Sequence, residues 1–303
     1  MNWIAYEDWI GDRKHSVSGN VLVCPEVFSP QLSNTRHILA YLPVSYVTST
    51  ERYPVLYMHD GQNLFDRRTS AIGEWCVDET MERLATEGYE AIVIGIPHLG
   101  EERVHELSPY ACELSGSLGL GQQYLDFITD TVKVIVDASF KTLPDSSNTG
   151  IMGSSMGGLI SLFAGLRQPE TFGFCGAMSP ALWFGEYGIY AALDDAVQLP
   201  DRVYIDTGIA EIDVDRKSSL STRAYERRAQ ESLGAGAPYT SAQLSELWVD
   251  DVRELHKQLE SHSHRPSALR FVEAPAKHDE AAWARRFPDA ARFLLPTQLE
   301  FRV

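Results

Sequence analysis

Short apolar runs of strand length alternate along most of the chain with segments of helical periodicity. The first two runs, 20–28 (NVLVCPEVF) and 36–42 (RHILAYL), are separated by only a short loop. No crossover helix fits there, so they predict an antiparallel pair at one edge of a sheet. Further runs follow at 54–59 (PVLYMH), 91–96 (AIVIGI), 149–153 (TGIMG), 173–178 (GFCGAM), 202–206 (RVYID) and 268–273 (ALRFVE). Short, continuously apolar stretches of this kind suit strands buried on both faces. Between them, periodicity predicts helices near 74–87, 119–138, 157–168, 243–261 and 280–294. The alternation predicts an α/β fold: one domain over 1–303, a mostly parallel central sheet with antiparallel N-terminal strands, and helices on both faces. Residues 209–247 break the rhythm. They are polar, rich in Arg, Glu, Ser and Gly, and too long for a simple connection, so they are expected to form an insertion over one end of the sheet, a candidate lid.

Composition narrows the class of protein. Of the 303 residues, 44% are hydrophobic and 22% charged, an ordinary globular balance that argues against disorder. The formal net charge of -16 sets the chain against phosphate backbones and anionic lipid, so neither nucleic acid nor a membrane is an expected partner. No window approaches the roughly 18 apolar residues of a membrane span. The first residues, MNWIAYEDWIGDRKH, lack the basic start and apolar core of a secretory signal. Cys24, Cys76, Cys112 and Cys175 are far apart and form no CxxC pair. They read as free thiols in a reducing cytoplasm. Oligomeric state is left open, a homodimer included.

Candidate chemistry concentrates at 149–158 (TGIMGSSMGG). A strand runs into Gly153-Ser154-Ser155-Met156-Gly157, and an apolar helix follows. This is G-x-S-x-G in its required context of strand, tight turn and helix, with Ser155 as nucleophile. Ser154 is in the wrong register, because Gly157 would stand three places after it. A serine hydroxyl needs a base within hydrogen-bond reach. His256, His262 and His264 lie in or at the end of a charged helix and read as surface residues. His278 follows the last apolar strand by a short loop and precedes a helix containing Trp283, a placement from which it can swing over the sheet top.

The acid that orients the imidazole should lie between strand 202–206 and His278. Glu211 is favoured over Asp213 and Asp206. For the oxyanion, one amide donor is that of Met156, next after the nucleophile. The second is expected from the Gln62 amide in the loop after 54–59, with the Gly61 amide behind it, and Gly61 is expected to let the backbone turn sharply. His59 reads as a buried, hydrogen-bonded histidine and Asp60 as an anchor of that loop. Trp183 and Phe184, at the functional edge of the sheet, are candidates to receive an apolar acyl or aromatic group. Arg103 and Glu106 are expected to pair with each other as a loop clasp, in preference to binding a polar substrate.

Several stretches carry a resemblance: RYPVLYMHDGQNLFD at 52–66, GSSMGGLISLFAGLRQPETFG at 153–173, SPALWF at 179–184, YIDTGIAE at 204–211 and HDEAAWARRFPDAARFLL at 278–295. Together they span most of the chain. The chain resembles the α/β-hydrolase esterases that include enterochelin esterase-like hydrolases, S-formylglutathione hydrolases, feruloyl esterases and mycolyltransferases. The resemblance implies cleavage of carboxylic esters or thioesters of a small molecule through an acyl-enzyme, with no metal or organic cofactor. It matches Ser155 and His278 to nucleophile and base, places the acid in the loop holding Glu211, and matches Gln62 to the second oxyanion donor. The chain carries Glu where S-formylglutathione hydrolases have Asp. The expected activity is a small- or medium-acyl esterase, with a siderophore or carbohydrate ester as the alternative and a non-catalytic binding protein as the reading from another class.

Overall fold

A computed structural model describes residues 2–297 apart from 217–218 and 235–237. Its nine-stranded sheet holds β1 (Ile4–Ala5), β2 (Asn20–Ser29), β3 (Asn34–Leu42), β4 (Val55–His59), β5 (Ile92–Ile96), β8 (Thr149–Ser154), β9 (Phe174–Met178), β10 (Arg202–Ala210) and β11 (Ala268–Lys277). The spatial order is β1-β2-β3-β5-β4-β8-β9-β10-β11. The two remaining strands, β6 (Ala111–Cys112) and β7 (Ser117–Leu118), form a small separate hairpin. Pairing is antiparallel from β1 to β5 and parallel from β5 to β11. This is the α/β-hydrolase arrangement, with the antiparallel strands at the edge where the short 30–33 connection requires them.

Both faces are covered. Along β4, Leu56 and Met58 join the core built with the helices Val77–Ala85 and Glu280–Leu294, whereas Val55 and Tyr57 join the opposite core. Successive strand side chains point to opposite faces, so a parallel strand covered on both sides must be apolar at every position. That second core is closed by the run Gly121–Ser139, which includes a π-helical turn at Ile128–Val132, and by the helices Met156–Arg167 and Ser241–Ser261.

Residues 209–247 are more regular than their composition suggests. They hold the end of β10, a loop, the helix Leu220–Leu233 and the start of the helix Ser241–Ser261, which Thr240 and Gln243 cap reciprocally. Residues 217–218 and 235–237 of this stretch lie outside the described residues. The helix Leu220–Leu233 docks by a narrow stripe, Tyr225 and Ala229, with Tyr225 Oη and Arg228 Nη1 on the Asp251 carboxylate at 2.6 and 2.5 Å. So narrow a stripe leaves little hydrophobic periodicity to read, which is why the helix escapes the sequence pattern.

Arg36 and Glu106 form a buried pair: Nη2–Oε1 is 2.6 Å and Nη1–Oε2 2.8 Å, with 1% of each side chain exposed. Arg36→Met should therefore destabilise the protein by about 3–5 kcal/mol in urea denaturation, because Glu106 stays buried without its counter-charge.

Candidate active site

The parallel strands deliver their C-terminal ends to one rim of the sheet. At the end of β8 the chain turns through Ser155, held at φ +55° and ψ -116°, directly into the helix Met156–Arg167. A non-glycine residue rarely adopts positive φ, and this one is held by its neighbours. Its amide donates to the Met178 carbonyl at 2.9 Å, and its carbonyl accepts from Ala181 at 3.0 Å. Of the two flanking glycines, Gly153 is the steric necessity, whereas a Cβ on Gly157 would come no nearer than 3.4 Å to a neighbour. A Cβ on Gly153 would lie 2.9 Å from the His59 ring and 3.0 Å from the Gly157 backbone. The turn is thus squeezed between its own following helix and a buried histidine.

β10 and β11 end beside each other, and there the register slips. Gly208 is level with Ala274, but Ala210 is level with Lys277. The one extra residue in β11 brings the next residue of each strand, Glu211 and His278, side by side. Gly208 makes the bulge possible, since a Cβ there would run into the Ala276 carbonyl oxygen. Glu211 Oε2 accepts from His278 Nδ1 at 2.5 Å, and His278 Nε2 lies 3.0 Å from Ser155 Oγ. A carboxylate only accepts, so Nδ1 carries the proton and Nε2 offers its lone pair to the serine hydroxyl. Trp248 and Trp283 set their rings edge-on to the imidazole at 5.0 and 4.9 Å.

The electrostatics favour an ionised Glu211. Its side chain has no exposed surface. Burial by itself would raise its pKa, but the charge of His278 when its ring is protonated, hydrogen bonds from His278 and Ser179, and the Gly208 amide outweigh that and hold it below the ordinary value. Asp206 lies five residues earlier, within β10, in a different setting. It pairs with Arg286 at 3.0 Å, and burial pushes its pKa up to about 7 against the pull of that guanidinium. Asp213 is exposed and receives the Asp215 amide. Of the acids weighed from sequence, Glu211 alone touches the imidazole.

Met156 opens its helix, so its N–H has no acceptor within the helix. Gln62 lies in the one-turn helix Gly61–Asn63 after β4. Gly61 serves close approach and not the turn: a Cβ there would stand 2.6 Å from Gly95 and Ile96 backbone atoms. The left-handed residue is Asp60, at φ +55°. Asp60 is clamped by Arg103 through both carboxylate oxygens, at 2.7 and 2.8 Å. Arg103 and Glu106 therefore do not pair with each other, because Glu106 is taken by Arg36. His59 is buried beneath the serine turn, with Nδ1 2.9 Å from Tyr124 Oη and Nε2 3.2 Å from Ser161 Oγ. Ser161 donates to the Gly157 carbonyl, so it accepts from His59 Nε2–H.

Trp183 is 8% exposed, and Phe184 is fully buried in the core beside it. Phe184 offers no surface to a ligand. A cavity of about 410 Å3 opens next to His278 instead, walled in part by Ile212, Arg216, Thr222, Ser241 and Lys277. Among the described residues, a group close enough to hold a metal ion is Glu74, Cys76 and Glu79, and it includes none of the residues around Ser155. Sequence reasoning assigned no role to Ser179, Trp248 or Arg286. The first carries a local signal, a Ser-Pro step directly after an apolar strand, but its contacts with Glu211 and Arg286 span more than 30 residues of chain.

With a serine on a strained strand-to-helix turn, and an imidazole and a buried carboxylate aligned behind it, the sheet and its helices have the α/β-hydrolase fold. More specifically, the chain belongs to the Putative esterase family, whose model matches residues 29–294. It is 29% identical over 161 residues to YbbA of Bacillus subtilis, an uncharacterised protein, covering 52% of this chain and 61% of that one. It is also 29% identical over 140 residues to a siderophore triacetylfusarinine C esterase of Aspergillus fumigatus, covering 43% of this chain and 45% of the other. The match thus spans less than two thirds of either relative. The siderophore hydrolase EstA of Aspergillus nidulans shares the fold, with a TM-score of 0.67 at 17% identity over 91% of this chain and 94% of that one.

The buried His59 gives a signed pH dependence. Burial, with Asp60 opposing and Arg103 adding, lowers its pKa from 6.5 to about 4. Between those values only the unfolded chain takes up the proton, so stability is lost as pH falls through that window. Urea denaturation at pH 7, 6 and 5 should show this decline, and His59→Gln should show a shallower one.

Proposed function

We propose that this protein hydrolyses a carboxylic ester of a small molecule through an acyl-enzyme on Ser155, acting on small or medium acyl groups. The observation that carries the reading is the unbroken run of contacts from Glu211 through His278 to Ser155. Ser155 Oγ attacks the carbonyl carbon while His278 Nε2 takes the hydroxyl proton. The resulting oxyanion is received by the Met156 and Gln62 amides. As the tetrahedral intermediate collapses, His278 returns the proton to the departing alcohol. A water then attacks the acyl group, with His278 again as base, and the acid leaves. Glu211 holds the tautomer and stabilises the imidazolium without taking its proton.

The loop after Glu211 and the start of the helix Leu220–Leu233 border the cavity beside His278. In this proposal that part of residues 209–247 forms a wall of the substrate site. No disulfide joins the cysteines at 24, 76, 112 and 175, which fits a reducing compartment, so the cytoplasm is proposed as the site of action. No helix of the described residues is long and apolar enough to cross a membrane. Nucleic acid is left out as a partner on the charge argument.

A second reading, hydrolysis of a siderophore ester, draws on the likeness to the Aspergillus fumigatus enzyme named above. A panel of acyl esters and siderophores with product mass spectrometry separates the two.

The parent protein is expected to hydrolyse p-nitrophenyl butyrate and to be labelled by a fluorophosphonate. Ser155→Ala should lower kcat by about 10³-fold or more and abolish labelling. A parental rate in Ser155→Ala sinks the proposal. Glu211→Gln should lower kcat by roughly 10²–10⁴-fold, because a neutral amide neither fixes the tautomer nor offsets the imidazolium.

A further inference from the structure

Ser179 stands directly after β9, held at φ +42° and with no exposed surface. Its amide is tied to Asp206, donating to the carbonyl at 2.9 Å and lying 3.2 Å from Oδ1. Asp206 is fastened in turn by Arg286 Nε at 3.0 Å and by Tyr204 Oη at 3.2 Å. The Ser179 hydroxyl oxygen receives Trp283 Nε1–H at 3.1 Å and Arg286 Nη2–H at 3.0 Å, and it lies 2.6 Å from Glu211 Oε1.

A hydroxyl has one proton and two lone pairs. An indole N–H and a guanidinium can only donate, so together they occupy both lone pairs. The proton is then left for Glu211, which can only accept while ionised. We infer that Ser179 is a positioning residue for the hydrolytic site, whose hydroxyl proton is locked toward Glu211 by Arg286 and Trp283. Every proton in the run then has one direction: Arg286 and Trp283 into Ser179, Ser179 into Glu211 Oε1, His278 into Glu211 Oε2, and Ser155 into His278. With Oε1 held by Ser179 and the Gly208 amide, Oε2 is left for the imidazole. The carboxylate therefore cannot rotate away between catalytic steps. Trp283 also packs its ring on the imidazole, so one side chain fixes both members of the pair.

This inference rests on the proposed roles of Ser155, His278 and Glu211, and its test is arranged so that the two can fail separately. Kinetics of p-nitrophenyl butyrate hydrolysis across pH would be measured for the parent, Ser155→Ala, Ser179→Ala and Trp283→Phe. Ser179→Ala should lower kcat roughly tenfold with KM unchanged and slow fluorophosphonate labelling by a similar factor. Losing a donor makes the carboxylate more basic, so the acid limb of kcat/KM should move to higher pH. Trp283→Phe keeps a ring on the imidazole but frees one lone pair of Ser179, and should give a smaller shift in the same direction. If Ser179→Ala fails to fold, Trp283→Phe decides alone. An inactive Ser155→Ala beside a Ser179→Ala or Trp283→Phe of parental kcat and pH profile overturns the positioning role only. A fully active Ser155→Ala overturns the site itself.

Discussion

Register is the constraint on which the rest depends. β10 and β11 are parallel neighbours, and residues that follow the same rung of a parallel pair emerge side by side. Without the slip after Gly208, Glu211 would be level with Lys277, and the imidazole would point to the other face of the sheet. One extra residue in β11 therefore decides whether an acid and a base meet. The same sheet sets the third member. β8 lies two strands away, and its last residues are level with the end of β9, so the Ser155 turn and the Ser179 turn stand next to each other.

Placing a carboxylate with no exposed surface beside that junction is unfavourable unless every lone pair is answered. Glu211 is answered by an imidazole, the Ser179 and Thr207 hydroxyls and a backbone amide. The Ser179 hydroxyl is itself answered by Trp283 and Arg286, and Arg286 by Asp206. These groups come from the ends of β9, β10 and β11 and from the helix Glu280–Leu294, which is why that helix is both a layer of the fold and a support of the site. His59 does the equivalent service on the other side of the serine turn. Buried and uncharged, it fills the space that Gly153 leaves and bonds to Tyr124 and Ser161.

Elements were legible where a local pattern repeats over several residues. The strands at 54–59, 91–96 and 149–153 are buried on both faces, and continuous apolarity is the mark of that. The helices Met156–Arg167 and Glu280–Leu294 have wide apolar faces and stand where expected. The helix Leu220–Leu233 was not legible, because it docks through Tyr225, Ala229 and a half-buried ion pair that has no periodicity. Pairings of charge were equally hidden. Arg103 is three residues from Glu106 but is bound to Asp60, and Glu106 to Arg36, because each charge goes to the partner that its buried surroundings leave unanswered.

By itself the sequence determined the strand-turn-helix around Ser155, since the apolar strand, the crowded Gly153 and the apolar helix are all local, and it set the order of Ser155, the candidate carboxylates and His278 along the chain. It also set the sheet class, because crossover length and burial dictate parallel pairing. Which of Asp206, Glu211 and Asp213 meets His278 was decided by the tertiary structure alone. All three are carboxylates within eight residues and are chemically equivalent in an extended chain. Only the bulge between β10 and β11, and the donors gathered around it, turn one toward the imidazole, one toward Arg286 and one toward water.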